Sequence, residues 1–179
     1  MSSSDRDRGA NRRFGVFGTL VAALALGACS VQPLYGPTSF AGGSAVQSTL
    51  TRISVAPVND RVGQQVRNGV IFQMAGGKEI NNPLYHMTLN VTSRQTGLGI
   101  TVTEASPVYS VIVQATFTVK KLDTEQVLVA GTATANASYN YVNQIYANTR
   151  ARIDAENRAA EQVANQIATR VAAAVASGK

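Results

Sequence analysis

Along this chain the spacing of apolar residues changes several times, and each change marks a structural element. The patterned region opens with a short strand from Leu50 to Val58, with Ile53 and Val55 on one face and Pro57 closing it. The apolar period then lengthens from two to four. Val62, Val66, Val70 and Met74 form a helical stripe starting near Arg61, behind a cap at Asn59 or Asp60, and Gly76-Gly77 supplies the stop. After a turn at Asn81-Asn82-Pro83 the alternation returns: Tyr85, Met87, Leu89 and Val91 face one way, His86, Thr88, Asn90 and Thr92 the other. A loop containing Gly97 and Gly99 leads through Ile100–Glu104 to Pro107. In the longest alternation, Val111, Val113, Ala115, Phe117 and Val119 are apolar while Ser110, Gln114, Thr116, Thr118 and Lys120 are polar. A glycine-free turn at Asp123-Thr124-Glu125 connects it to Val127, Val129, Gly131, Ala133, Ala135 and Ala137, the second arm of an antiparallel hairpin. From about Asn148 the pattern is helical almost to the end. Ile153, Ala160, Val163, Ala164, Ile167, Val171 and Val175 make the apolar stripe, and Arg150, Arg152, Asp154, Glu156, Arg158, Glu161 and Arg170 surround it.

The order β-α-β-β-β-α predicts an α+β fold, a two-layer sandwich spanning residues 49–177. A four-stranded, mainly antiparallel sheet with two helices packed on one face buries every apolar stripe. The opposite sheet face, rich in Thr, Ser and Asn, stays wet.

The residues ahead of this domain follow another logic. Arg6, Arg8, Arg12 and Arg13 precede an apolar run from Phe14 to Leu26. Its thirteen residues fall short of the roughly 20 that span a bilayer, and the layout is that of an export signal. Leu26-Gly27-Ala28-Cys29 resembles the lipobox of bacterial lipoproteins. That resemblance implies removal of residues 1–28 as a signal peptide and attachment of acyl chains at Cys29. Each buried methylene adds about 0.8 kcal/mol, so one chain holds marginally and several hold firmly. Ser30 stands where an acidic residue would retain such a protein in the inner membrane, which implies passage to the outer membrane. Residues 29–48, with Pro33, Gly36, Pro37 and Gly42-Gly43, read as a lipidated flexible tether.

Charge and composition narrow the function. The whole chain carries +6, but the four arginines and two aspartates of residues 1–28 account for two of those charges. A net +4 does not call for nucleic acid; it favours an anionic envelope molecule or an acidic partner. Cys29 is the only cysteine, so no intramolecular disulfide forms and one apolar core must hold the domain. There is no tryptophan and one histidine, His86, on the polar side of a strand without ligand-spaced partners. Asp154 and Glu156 stand too close in sequence to share a helix face, and read as favouring the start of the last helix through its dipole. Gly97-Leu98-Gly99 lacks a following GK[ST], so it is no phosphate loop. No catalytic set, metal site or cofactor site is expected. Tyr139, Tyr141 and Tyr146, interleaved with Asn136, Asn140, Asn143 and Gln144, are more distinctive. They read either as a solvated turn before the last helix or as partner contacts, since tyrosine offers a large area with a polar tip.

Several stretches together resemble the alphaproteobacterial form of the LptE lipopolysaccharide-assembly family. They are Cys29-Ser30-Val31-Gln32-Pro33-Leu34-Tyr35-Gly36, Ile53-Ser54-Val55, Asp60-Arg61-Val62-Gly63-Gln64-Gln65-Val66-Arg67-Asn68, Ser138-Tyr139-Asn140, and Asp154-Ala155-Glu156-Asn157-Arg158-Ala159-Ala160-Glu161 with Ala164 and Ile167. The resemblance implies a plug and assembly partner for the β-barrel LptD, helping to place lipopolysaccharide in the outer leaflet. A polar sheet face suits a polar barrel lumen. Arg94, Lys120 and Lys121 are then candidate contacts for lipid phosphates. An auxiliary lipoprotein of an ABC-type lipid transport system is the alternative expectation. A tethered hydrolase is disfavoured by the missing catalytic set.

Overall fold

A cap sets the first long helix in place. Asp60 adopts an extended backbone and its side chain accepts a hydrogen bond from the Gly63 amide at 2.8 Å, satisfying one of the donors a helix start leaves free. Position 63 must be glycine, because a Cβ there would lie 2.3 Å from a Val58 methyl and 2.5 Å from Asp60 Oδ2. At the other end Gly76 takes the left-handed conformation, φ +62°, and returns its amide to the Phe72 carbonyl at 2.8 Å.

The computed structural model describes residues 41–78, 80, 82–98 and 107–178. The expected signal peptide, Cys29 and the first part of the tether lie outside them, as does most of the loop expected between Gly97 and Pro107. Within them the order is α1 (Ala41–Leu50), β1 (Ile53–Val55), α2 (Arg61–Ala75), β2 (Tyr85–Leu98), β3 (Val108–Lys121), β4 (Val127–Asn140) and α3 (Ile145–Ala176). The last residues of the stretch read as tether, from Ala41 onward, are therefore helical. Gln47 of α1 reaches the Met74 carbonyl, 3.0 Å away, and Leu50 is buried in the core. The first strand starts at Ile53 rather than Leu50 for the same reason.

The sheet order is β1-β2-β3-β4. It is mixed rather than mainly antiparallel: β1 runs parallel to β2, while β2–β3 and β3–β4 are antiparallel. The physical cause is the connection. A helix between β1 and β2 carries the chain back to where β1 began, which only a parallel pair permits, whereas short connections make hairpins. In the hairpin turn Glu125 takes φ +55°, the left-handed conformation that glycine adopts more easily.

Both long helices cover one sheet face, α2 over β2 and α3 over β3 and β4. The odd-numbered residues Val111, Val113, Ala115, Phe117 and Val119 of β3 and Ala133, Ala135 and Ala137 of β4 face them and are buried. On α3 the buried residues come in adjacent pairs four apart: Ala155 and Glu156, Ala159 and Ala160, Val163 and Ala164, Ile167 and Ala168, Val171 and Ala172. Ile153, expected in this stripe, is only half-buried, because two residues before Ala155 is about 200° round the helix. The small residues let the helices approach closely. A Cβ on Gly69 of α2 would lie 2.8 Å from Ala164 Cβ, inside contact distance.

Candidate interaction surface

Among the described residues no helix packs on the second sheet face, whose make-up follows from the strand alternation. Even-numbered positions of β2, β3 and β4 stand side by side in ranks set by the register: Asn90, Thr116 and Thr132; Thr92, Gln114 and Thr134; Arg94, Ile112 and Asn136; Thr96, Ser110 and Ser138. Side chains of one rank lie close enough across the strands to meet, as Thr116 and Thr132 do at 3.4 Å between hydroxyls. Most of these side chains are exposed, although Ser110 is buried and Ile112 half-buried; the surface is uncharged apart from a few cations and dense in groups that both donate and accept.

The predicted cations do not gather on it. Arg94 is exposed in the half nearer the β2–β3 connection. Lys120 lies eight residues along β3 from Arg94's partner Ile112, about 27 Å away. It pairs with Glu125 at 3.4 Å, and Lys121, turned to the helix side, pairs with Asp123 at 2.9 Å. The bond to Asp123 holds the Lys121 ammonium above its ordinary pKa and the Asp123 carboxyl below its own. The three cations therefore do not form one site.

Two of the three predicted tyrosines, Tyr139 and Tyr141, come together around a residue the sequence reading did not single out. Tyr109, at the start of β3, is opposite Tyr139 in the register. Their rings stack at 5.7 Å with 19° between planes, and Tyr141 tilts against Tyr109 at 5.5 Å and 54°. Tyr109 could have been found by extending the odd-numbered alternation of β3 two residues upstream. Tyr139 continues the inward alternation of β4 and is buried, which pushes its phenol above the ordinary tyrosine pKa. Tyr141 and Tyr146 are exposed by 40% and 78%, and between them Val142 and Ile145 are exposed by 41% and 85%. Four neighbouring residues thus present apolar surface to solvent at the β4–α3 corner.

The corner is held by Asn148. Its Oδ1 accepts the Val142 amide at 2.8 Å and its Nδ2 donates to the Val142 carbonyl at 2.7 Å. Helix α3 consequently begins at Ile145, three residues before the expected start, and Gln144 at its cap makes no side-chain cap bond. A shallow cleft of about 260 Å³ opens here, lined by Gln95, Tyr139, Tyr141, Ile145, Asn148, Thr149 and Arg152.

Glu156 lies far from the helix start it was expected to favour. It is buried three turns into α3, where it accepts from Arg152 at 2.9 Å and from Arg61 at the start of α2, while Arg61 also donates to Asn157 at 2.9 Å. Asp154 instead pairs with Arg158 one turn on, at 2.8 Å. One carboxylate thus joins the two helices and anchors Arg152 beside the cleft.

His86 lies half-buried near the sheet edge, its Nδ1 3.0 Å from the Ser54 hydroxyl, which also bonds the Tyr85 carbonyl at 3.1 Å. Among the described residues no carboxylate pairs with it, no set of three or more His, Cys, Asp or Glu side chains is placed to hold a metal, and no helix is long and apolar enough to cross a membrane.

Comparison with known proteins adds to this geometry. The profile of the LptE family, described as lipopolysaccharide-assembly, matches residues 50–171, more than half the chain. A crystal structure of a candidate lipoprotein from Caulobacter crescentus CB15 superposes with a TM-score of 0.64 at 19% identity, covering 76% of this chain and 98% of that one. A minor lipoprotein from Acinetobacter baumannii superposes at 0.51 and 17% identity, covering 68% and 88% respectively. Identities this low establish a shared fold. No curated protein matches the sequence.

Proposed function

The chain belongs to the LptE lipopolysaccharide-assembly family, and from that premise we propose that it is the lipoprotein partner and plug of the β-barrel LptD at the outer membrane. The observation that carries this reading is the sheet face that no helix covers among the described residues, with its ranks of Thr, Ser, Asn and Gln. A barrel lumen is lined by polar side chains. A plug must match them by many hydrogen bonds and trapped waters rather than by a large apolar patch. The exposed corner at Tyr141, Val142, Ile145 and Tyr146 supplies the complementary element, a compact aromatic and aliphatic anchor of the sort that dominates interface energetics.

In this reading Cys29 bears the lipid and residues 1–28 are removed, so the domain is held near the periplasmic mouth of the barrel. Arg94 is a contact for anionic lipopolysaccharide phosphates from the open face. Lys120 and Lys121 are already paired with acids and contribute less. The role is binding and assembly, without turnover.

Purification of the lipidated chain from native membranes in mild detergent tests the proposal. Recovery of an outer-membrane β-barrel in stoichiometric amount is the expected outcome; recovery of no barrel, or of an ABC-type permease instead, would overturn it. Ile145→Asp with Tyr146→Asp in the same experiment is expected to reduce barrel recovery by about tenfold, as loss of one central anchor does. Undiminished recovery with that variant removes the corner from the interface and leaves the sheet face to account for it.

A further inference from the structure

Strand β4 is the last strand of the sheet, and its outer edge is exposed backbone unless something covers it. The Tyr141 amide bonds the Pro107 carbonyl at 2.9 Å, so odd-numbered residues of β4 bond to β3 and even-numbered ones face away from it. Such an edge is a template for another strand. Sheets usually blunt it with a charge, a proline or a very short strand. None of these is present in Val127–Asn140, VLVAGTATANASYN, whose fourteen residues include no charged side chain and no proline and are mostly small. By composition it is a segment prone to pair with copies of itself.

Three outward carbonyls of this edge are nevertheless bonded, each by a long side chain from α3. Arg158 donates to Ser138 at 3.0 Å, Gln166 to Thr134 at 3.1 Å and Arg170 to Thr132 at 2.6 Å. The order is reversed because α3 runs antiparallel to β4. The spacing matches as well: four helical residues rise about 6 Å and two strand residues about 6.8 Å, so a row at every fourth helix position stays in step with alternate carbonyls. Gln162 occupies the intervening step, level with Asn136.

We infer that the row Arg158, Gln166 and Arg170 on α3 is an edge guard, which closes β4 to strand addition by a second copy of this chain. The guards occupy the carbonyls that an incoming strand would need and place two guanidinium groups along the edge. This explains how a long, uncharged edge strand is tolerated in a protein that must cross a compartment before it meets its partner. The contrast with β2 is instructive. Beyond Met87 its free edge is also unpaired by β1, but Ser93, Arg94, Gln95 and Thr96 are exposed on both faces, so a strand added there would bury little apolar surface.

The test uses the full chain in detergent, with Arg158→Ala, Gln166→Ala and Arg170→Ala combined. Light scattering reports the mass of the protein component, and hydrogen exchange reports protection of the β4 amides. The expected result is self-association strengthened on the order of tenfold, equivalent to about 1.4 kcal/mol, together with new protection within Val127–Asn140. A folded variant that keeps the wild-type mass, or that associates without added protection in β4, overturns the inference. If the triple variant fails to fold, Gln166→Ala alone carries the same reading. It removes the donor to the Thr134 carbonyl without adding a charge to the edge, alanine is well tolerated in a helix, and the same two readouts decide.

Discussion

The junction of Glu156 with Arg61 and Arg152 yields the sharpest quantitative expectation. Removing one partner of a fully buried ion pair costs about 3–5 kcal/mol, because the other charge is stranded. Here the exposure is uneven. The Glu156 side chain is 10% exposed, but those of Arg61 and Arg152 are 49% and 45% exposed. When the carboxylate is removed, both guanidinium groups turn to water and escape that penalty. The remaining loss is that of charged hydrogen bonds, about 1.5–3 kcal/mol together, allowing for solvent screening. Glu156→Ala should therefore lower stability by about 2 kcal/mol, and Glu156→Gln by less, since the amide keeps the shape and one acceptor. In a thermal melt followed by circular dichroism this is a fall of roughly 5–10 °C. The stricter assay is a double-mutant cycle with Arg61→Ala by urea unfolding. Contact between the residues predicts a coupling energy of about 1 kcal/mol. A value below about 0.3 kcal/mol, the usual limit of additivity between independent sites, would refute the claim that this carboxylate ties α2 to α3.

Other expectations can be checked independently. Gly69→Ala drives a methyl into Ala164 at 2.8 Å and should destabilise by about 1–3 kcal/mol in urea unfolding, although alanine is the better helix former. Glu125→Gly relieves the left-handed backbone of the β3–β4 turn and should leave stability unchanged or raise it by about 0.5–1 kcal/mol, read from the same unfolding curves. Tyr139 should ionise above the ordinary tyrosine range in a titration followed by ultraviolet absorbance, with Tyr139→Phe identifying the late transition. Because burial raises its folded pKa above the unfolded one, its contribution to stability is fully present below the ordinary tyrosine range and is lost as pH rises through the folded value.

The alternation in Tyr85–Val91, Val111–Val119 and Val127–Ala137 was enough to name three strands, their inward faces and the wet opposite face, because strand periodicity maps directly onto burial. The helix ends were likewise legible as a cap at Asn59 or Asp60 and a stop at Gly76-Gly77, since capping is local chemistry between neighbours, and the structure selects Asp60 and Gly76. Local pattern failed where the deciding partner lay far along the chain. Glu156 looked like any acid on a polar helix face; only the approach of Arg61, ninety-five residues away, makes it a buried junction. Tyr139, Tyr141 and Tyr146 looked alike, yet packing placed one in the core and left two exposed, because β4 ends between them and its alternation no longer applies. Residues 41–48 read as tether from their glycines and serines, while contact with Met74 and the core holds Ala41–Leu50 as helix.

The open sheet face divides in the same way. Its Thr, Ser and Asn residues were determined by the sequence alone, through a period of two that any strand must obey. Which strands lie side by side, and so that the polar residues form ranks across three strands, depended on chain connection and register. That the edge of β4 is guarded depended on tertiary structure entirely, because its donors come from a helix whose rise keeps step with the strand only once the two are packed together.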